Sequence, residues 1–336
     1  MQELIRPLVV APMAGGPSTP ALVTAAAGAG ATAFLAAGYK TPAAVEDELR
    51  AVRSAGVPYG LNIFVPVPPP ADAEPLERYR ALLQPEAERY GVELPALRLR
   101  DDDHFAEKVE LAVAYEVPLV SFTFGVPPAP VVRALQAAGC AVLVTVTGPD
   151  EARRAATAGP DALIAQAGAA GGHSATTDPA GYRGATTAPD VLRAVRAVSD
   201  LPVIAAGGVA SASGVRDLLA AGAAAVQCGT AFLLADEAGT RDAHRRALGS
   251  GDHRETVVTR AFTGQPARAL RNRFTDAYSA AAPIGYPAIH HLTAPIRAAA
   301  AKAGDAGALN LWAGTAFAAA RPGPIAALVE ALSLDA

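Results

Sequence analysis

Eight short runs of apolar residues recur along the chain: Leu8–Ala11, Thr32–Leu35, Tyr59–Ile63, Leu119–Thr123, Ala141–Val146, Ala162–Ala165, Val203–Ala205 and Ala225–Cys228. They are continuously apolar rather than alternating, which is the pattern of parallel strands buried on both faces. Between them lie helical patterns at Pro20–Ala29, Thr41–Ser54, Phe105–Tyr115, Pro130–Ala138, Pro149–Ala158, Pro189–Val198 and Ser211–Ala221. Several open with proline, which the first helical turn tolerates because its N–H is unpaired anyway. Several stop just before glycine, at Gly56, Gly139, Gly159 and Gly222, where the chain can turn left-handed. The alternation predicts an α/β fold of the (β/α)8 class, a TIM barrel, whose site lies at the C-terminal ends of its strands.

Two stretches exceed a minimal barrel. Pro66–Asp103 is rich in proline and charge, and forms an insertion after the third strand that passes over the barrel top. From about residue 236 onward the chain has more helical pattern than the eighth unit needs, which predicts a partly helical C-terminal lobe over the barrel mouth. The expected division is a barrel from 1–235 plus 305–336, with a lobe from 236–304.

Composition narrows the function classes. The 336 residues are 51% hydrophobic, with alanine dominant, which suits helices packed closely on a small-residue sheet. The net charge is −4 and no basic run stands out, so no nucleic-acid surface is expected. The two cysteines, Cys140 and Cys228, lack ligand spacing and sit in apolar surroundings, as buried thiols of a cytoplasmic protein would. Pro7–Tyr39 carries no charge, but Pro12, Gly15, Gly16, Pro17 and Pro20 interrupt it. No apolar run reaches the roughly 18 residues of a membrane span, and the segment reads as strand, glycine loop and helix. No HExxH, HxxxH or clustered acidic pattern suggests a metal, and no P-loop or GxSxG elbow occurs.

The chemistry concentrates where strands end. Met13-Ala-Gly-Gly-Pro17 follows the first strand, Ala206-Gly-Gly208 the seventh and Gly229-Thr230 the eighth. Loops after the last two strands of such barrels frequently bind phosphate, because glycine lets backbone N–H groups approach it and the next helix adds its dipole. Ser211 and Ser213 open that helix. The sixth strand ends in Gln166, followed by Gly168, Gly171, Gly172 and His173. A glutamine both donates and accepts, which suits the edge of a flavin ring, and histidine can move a proton near neutral pH. Asn62, inside an apolar run, needs a partner, either a ligand or a loop. Ser121 and Thr123 end the fourth strand. His290 and His291 are adjacent, so a helix would point them apart.

Taken together these pieces resemble the nitronate monooxygenase family, also known as the 2-nitropropane dioxygenase family. The resemblance rests on Ala11-Pro-Met-Ala-Gly-Gly16, Gly60-Leu-Asn-Ile-Phe64, Ser121-Phe-Thr-Phe-Gly125, Gln166 through His173, Pro202-Val-Ile-Ala-Ala-Gly-Gly208 and Gln227-Cys-Gly-Thr-Ala-Phe232. It continues through Thr259-Arg-Ala-Phe-Thr-Gly264, Arg271-Asn-Arg-Phe274, Tyr286 through Pro295 and Asn310-Leu-Trp-Ala-Gly314. It implies an FMN enzyme that oxidises alkyl nitronates with molecular oxygen to a carbonyl compound and nitrite. His173 maps onto the catalytic base. The implied flavin contacts are Pro12, Met13, Ala14, Asn62, Gln166, Gly171, Gly172, Ala206, Gly207, Gly208, Gln227, Gly229 and Thr230. Where the family commonly reads Gly-Gly-His-Arg-Gly, this chain has Ser174 and Ala175 after the histidine; the resemblance implies that these positions border the pocket and bear on substrate preference. The rival readings are a reductase using NAD(P)H, of the enoyl-acyl carrier protein or quinone type, and a flavin-binding barrel without turnover.

Overall fold

The computed structural model describes residues 5–333. Eight parallel strands close into a barrel: β1 (Leu8–Val10), β2 (Thr32–Ala36), β3 (Gly60–Phe64), β4 (Leu119–Thr123), β5 (Ala141–Val146), β6 (Ala162–Gln166), β8 (Val203–Ala206) and β9 (Ala225–Cys228). Closure is made by β9 pairing with β1, with Val9 opposite Gln227. The missing number, β7 (Gly172–His173), belongs to a different sheet. Successive residues of a strand serve two cores. In β5, Leu143 points inward with Val9, Phe34, Leu119, Ile164 and Ile204, whereas Val142, Val144 and Val146 face the helices. That double burial is why the strands carry no polar alternation.

Phe34 is the bulkiest side chain inside the barrel, and Gly60 makes room for it. The two are paired across β2 and β3, and a Cβ at position 60 would lie 2.2 Å from the Phe34 ring.

The outer helices are α1 (Pro20–Gly28), α2 (Pro42–Ser54), α5 (Phe105–Ala114), α6 (Ala129–Ala137), α7 (Pro149–Thr157), α8 (Ala188–Arg196) and α9 (Ala212–Ala220). Thr19, Thr41 and Ser211 cap α1, α2 and α9 by accepting from Leu22, Ala44 and Gly214 N–H groups, which satisfies donors the helix leaves open. The last helix, α13 (Ile325–Leu332), returns to the barrel through Ile325, Val329 and Leu332.

A second apolar core sits over the barrel mouth. The insertion contributes Leu76, Tyr79 and Leu83 from α3 (Glu74–Leu82) and its end, and Ala87 from α4 (Gln84–Arg89). The lobe contributes α10 (Asp242–Gly249), α11 (Arg273–Tyr278) and α12 (Ala288–Ala303), with Phe262, Phe274, Leu292 and Ile296 in the same cluster, which Leu311 beyond the lobe also joins. Insertion and lobe are joined by a two-pronged ion pair between Arg273 and Glu86, at 2.7 and 2.6 Å. Among the described residues no helix is long and apolar enough to cross a membrane.

Candidate active site

His173 stands on a strand. β7 pairs antiparallel with β11 (Ala267–Leu270), which pairs with β10 (Thr256–Thr259), so His173 lies opposite Ala267 at the edge of a lobe sheet. The Ser174 N–H adds a 2.8 Å bond to the Pro266 carbonyl. From the barrel side Gln166 grips the same segment. Its Nε2 donates to the His173 carbonyl at 3.0 Å and its Oε1 accepts from the Ala175 N–H at 2.7 Å. The histidine is thus clamped between barrel and lobe, and much of the Gln166 amide is used in the clamp.

The imidazole Nε2 lies 2.9 Å from Thr263 Oγ1. The rings of Trp312, Phe124 and Tyr286 surround it, with centroids 5.3, 5.5 and 5.9 Å away. Nδ1 has no protein partner among the described residues and is not sealed off. The ring opens only into a cavity that the lobe roofs over, so an imidazolium would find little water. Burial first, and the Arg297 charge second, push its pKa down to about 3. His173 is therefore a neutral imidazole near neutral pH.

That cavity is about 470 Å³ and spans the strand ends. Every residue anticipated as a flavin contact lines it: Pro12, Met13, Ala14, Asn62, Gln166, Gly171, Gly172, Ala206, Gly207, Gly208, Gln227, Gly229 and Thr230. Gly207 and Gly208 have φ of +111° and +74°, and a Cβ on Gly208 would lie 2.8 Å from the Ala169 Cβ; this turn needs glycine. The backbone N–H groups of Gly208, Gly229 and Thr230 have no acceptor among the described residues. Thr230 Oγ1 accepts from the Gly314 N–H at 2.9 Å, which leaves its own proton to donate. Asn62 Nδ2 is held at 2.9 and 3.0 Å from the Ser121 and Thr123 hydroxyls, and Oδ1 has no donor among the described residues. The amide NH2 end of Asn62 is therefore the structural tie, and the side chain lines the cavity. Gln227 Oε1 is buried without a donor among the described residues.

Several lining residues were not anticipated. Tyr39, His244, Thr263, His290, Arg297 and Trp312 close the cavity. The adjacent histidines keep an edge-on contact, with centroids 5.3 Å apart, but have different partners. His290 stacks on Tyr39 with centroids 4.1 Å apart, whereas His291 Nε2 sits 2.7 Å from Asp101 Oδ2. Burial pushes His290 well below its ordinary range and His244 down to about 4. On α12, His290, Ala294, Arg297 and Ala298 all line the cavity. Their i, i+4, i+7, i+8 spacing is the signal in the sequence that could have found them. The cavity lining contains arginine and histidine but no aspartate or glutamate.

A roofed cavity over the C-terminal ends of a parallel barrel, with a clamped neutral histidine facing it, places the chain among the (β/α)8-barrel enzymes. Comparison with known proteins then gives the family. The chain belongs to the nitronate monooxygenase family, whose sequence profile matches residues 1–335, and it is an oxidoreductase by that membership. It is 33% identical over 319 residues to a probable nitronate monooxygenase of Staphylococcus aureus strain Newman, covering 94% of this chain and 89% of that one. It superposes on nitroalkane oxidase from Streptomyces ansochromogenes with a TM-score of 0.96 and 44% identity, over 99% of this chain and 97% of the other. FabK from Thermotoga maritima, at 24% identity and a TM-score of 0.71 over 98% of this chain and 92% of its own, shares the fold.

Proposed function

We propose that this protein is an FMN-dependent nitronate monooxygenase. It oxidises alkyl nitronates with molecular oxygen to a carbonyl compound and nitrite, and admits neutral nitroalkanes through His173 as the base. The observation that carries the reading is the neutral His173, with Nδ1 open to a cavity that holds no carboxylate. A base must be unprotonated to act, and an anionic substrate needs a cavity free of like charge. The names of the Staphylococcus relative and the Streptomyces structure support the same substrate class.

The residues present suit a flavin mononucleotide. The free N–H groups of Gly208, Gly229 and Thr230, beside the capped start of α9, form a cradle for a phosphate. Gln227 Oε1, an acceptor lacking a donor, suits a ring N–H, and Asn62, Gln166 and the backbone of Pro12 to Ala14 border the ring's place. When bound, the flavin supplies the electron transfer that the side chains cannot.

The protein's own part is proton transfer and placement. With Nε2–H donating to Thr263 Oγ1, the Nδ1 lone pair is free to take the proton from the carbon bearing the nitro group. The C–H electron pair moves into that group, giving the nitronate. The new anion lies beside the new imidazolium, and their attraction offsets the cost of charging a buried ring. The clamp of Gln166 and β11 keeps the imidazole in place, so little orientation is lost at the moment of transfer.

The test begins with the absorbance spectrum of the purified protein and an anaerobic titration. Bleaching of the flavin by a nitronate alone supports the proposal; bleaching only by NADH or NADPH would replace it with a reductase. In His173→Asn, turnover of neutral nitroalkane should fall by about 10²–10⁴-fold with flavin content unchanged. Undiminished turnover would remove His173 from its role.

A further inference from the structure

One buried cation beside the cavity takes no part in the proton transfer. Arg297 is 8% exposed, and no carboxylate pairs with it among the described residues. Its contacts are neutral: Nε donates to Thr293 Oγ1 at 3.1 Å and Nη2 to the His290 carbonyl at 2.8 Å. Nη1 has no partner among the described residues, is not sealed, and belongs to a side chain that lines the cavity. A buried, uncompensated guanidinium is costly and calls for an anion, and the lining offers none.

We infer that Arg297 anchors the nitro group, donating from Nη1 to its oxygens while His173 faces the adjacent carbon. The inference rests on the function proposed above and deepens it, because it names the residue that recognises the nitro group. A nitro or nitronate group presents two coplanar oxygens, which the planar guanidinium matches better than a point charge does. Charge builds on those oxygens as the proton leaves carbon, so the contact strengthens toward the transition state. The framework ties the two residues together. Thr293, which accepts from Arg297, donates to the Phe262 carbonyl, and the next residue, Thr263, holds His173 Nε2. The Arg297 charge also disfavours protonation of His173 and His290, and of the two arginines that line the cavity Arg297 is the buried one, Arg241 being exposed.

The experiment uses the flavin-loaded protein with nitrate as the probe, an inert planar anion that carries the same oxygens. Its dissociation constant is read from the perturbed flavin spectrum. Arg297→Met should weaken nitrate roughly 10- to 100-fold, the range for losing a hydrogen bond to a charged group, with FMN affinity unchanged. Arg297→Lys should weaken it by about fivefold or more, since it keeps charge but loses the fork. Equal nitrate affinity in wild type and variants overturns the inference. So does a loss of FMN affinity with nitrate binding intact, which would assign Arg297 to the cofactor phosphate. Should Arg297→Met not fold, the lysine variant decides by the same criterion. A wild type that binds nitrate through Arg297 but does not oxidise nitronates would uphold the anion site and remove the substrate reading alone.

Discussion

Acid should destabilise this protein through three half-buried histidines that line the covered cavity. His173, His244 and His290 are each held neutral in the fold, at pKa values of about 3, about 4 and well below the ordinary range. In the unfolded chain each imidazole titrates near the ordinary value of roughly 6.5. The sign follows from which state takes up protons. Above that value neither state does, and the stability is fully present. As pH falls below it, the unfolded chain binds protons that the folded one refuses, so stability is lost down to the folded pKa. At pH 5 His173 and His244 each cost about 2 kcal/mol relative to pH 8, roughly 4 kcal/mol for the two, and His290 acts in the same direction. That is a large part of the 5–15 kcal/mol typical of a domain. The assay is urea denaturation of the flavin-loaded protein at pH 8, 6 and 5, for wild type and for His244→Gln, a residue outside the proposed proton transfer. The difference between the two proteins isolates one histidine from the carboxylates, and it should shrink by about 2 kcal/mol between pH 8 and 5. A difference independent of pH would refute neutral burial at His244. Proton uptake on unfolding at pH 5 that is unchanged by the substitution would do the same.

Two further outcomes follow from glycines that the structure demands. Gly60→Ala should destabilise the barrel by about 1–3 kcal/mol, the usual cost of overpacking, because its methyl would meet Phe34. Adding Phe34→Leu should recover part of that loss in chemical denaturation; additive losses would contradict the account. Gly208→Ala should lower FMN affinity by about tenfold or more, through its left-handed φ and contact with Ala169, with the far-UV circular dichroism unchanged. Equal flavin retention would remove that turn from the phosphate cradle.

Some of this protein was legible in the residues alone. Buried parallel strands must be apolar throughout, so β4, β5 and β9 show in the sequence at their observed bounds. Glycines at positive φ just past helix ends, such as Gly56 and Gly139, mark boundaries because other residues resist that conformation. Residues at strand ends share the barrel mouth by topology, so counting strands was enough to bring Met13, Asn62, Gln166, Gly208 and Thr230 to one cavity.

What the sequence could not decide depends on elements that meet only in three dimensions. The pairing of His173 with Ala267 spans two distant segments, and a two-residue strand has no period to read. The clamp by Gln166, the partner at Thr263 and the stack of His290 on Tyr39 are likewise contacts between lobe and barrel, or between a strand end and its own loop. Arg297 looks like an ordinary surface arginine on a helix until the lobe folds over the mouth. Folding takes its charge out of water and leaves no carboxylate beside it. Local pattern fixes which residues are apolar and where the chain turns; only tertiary burial decides which charges and imidazoles lose their solvent, and that loss sets their chemistry.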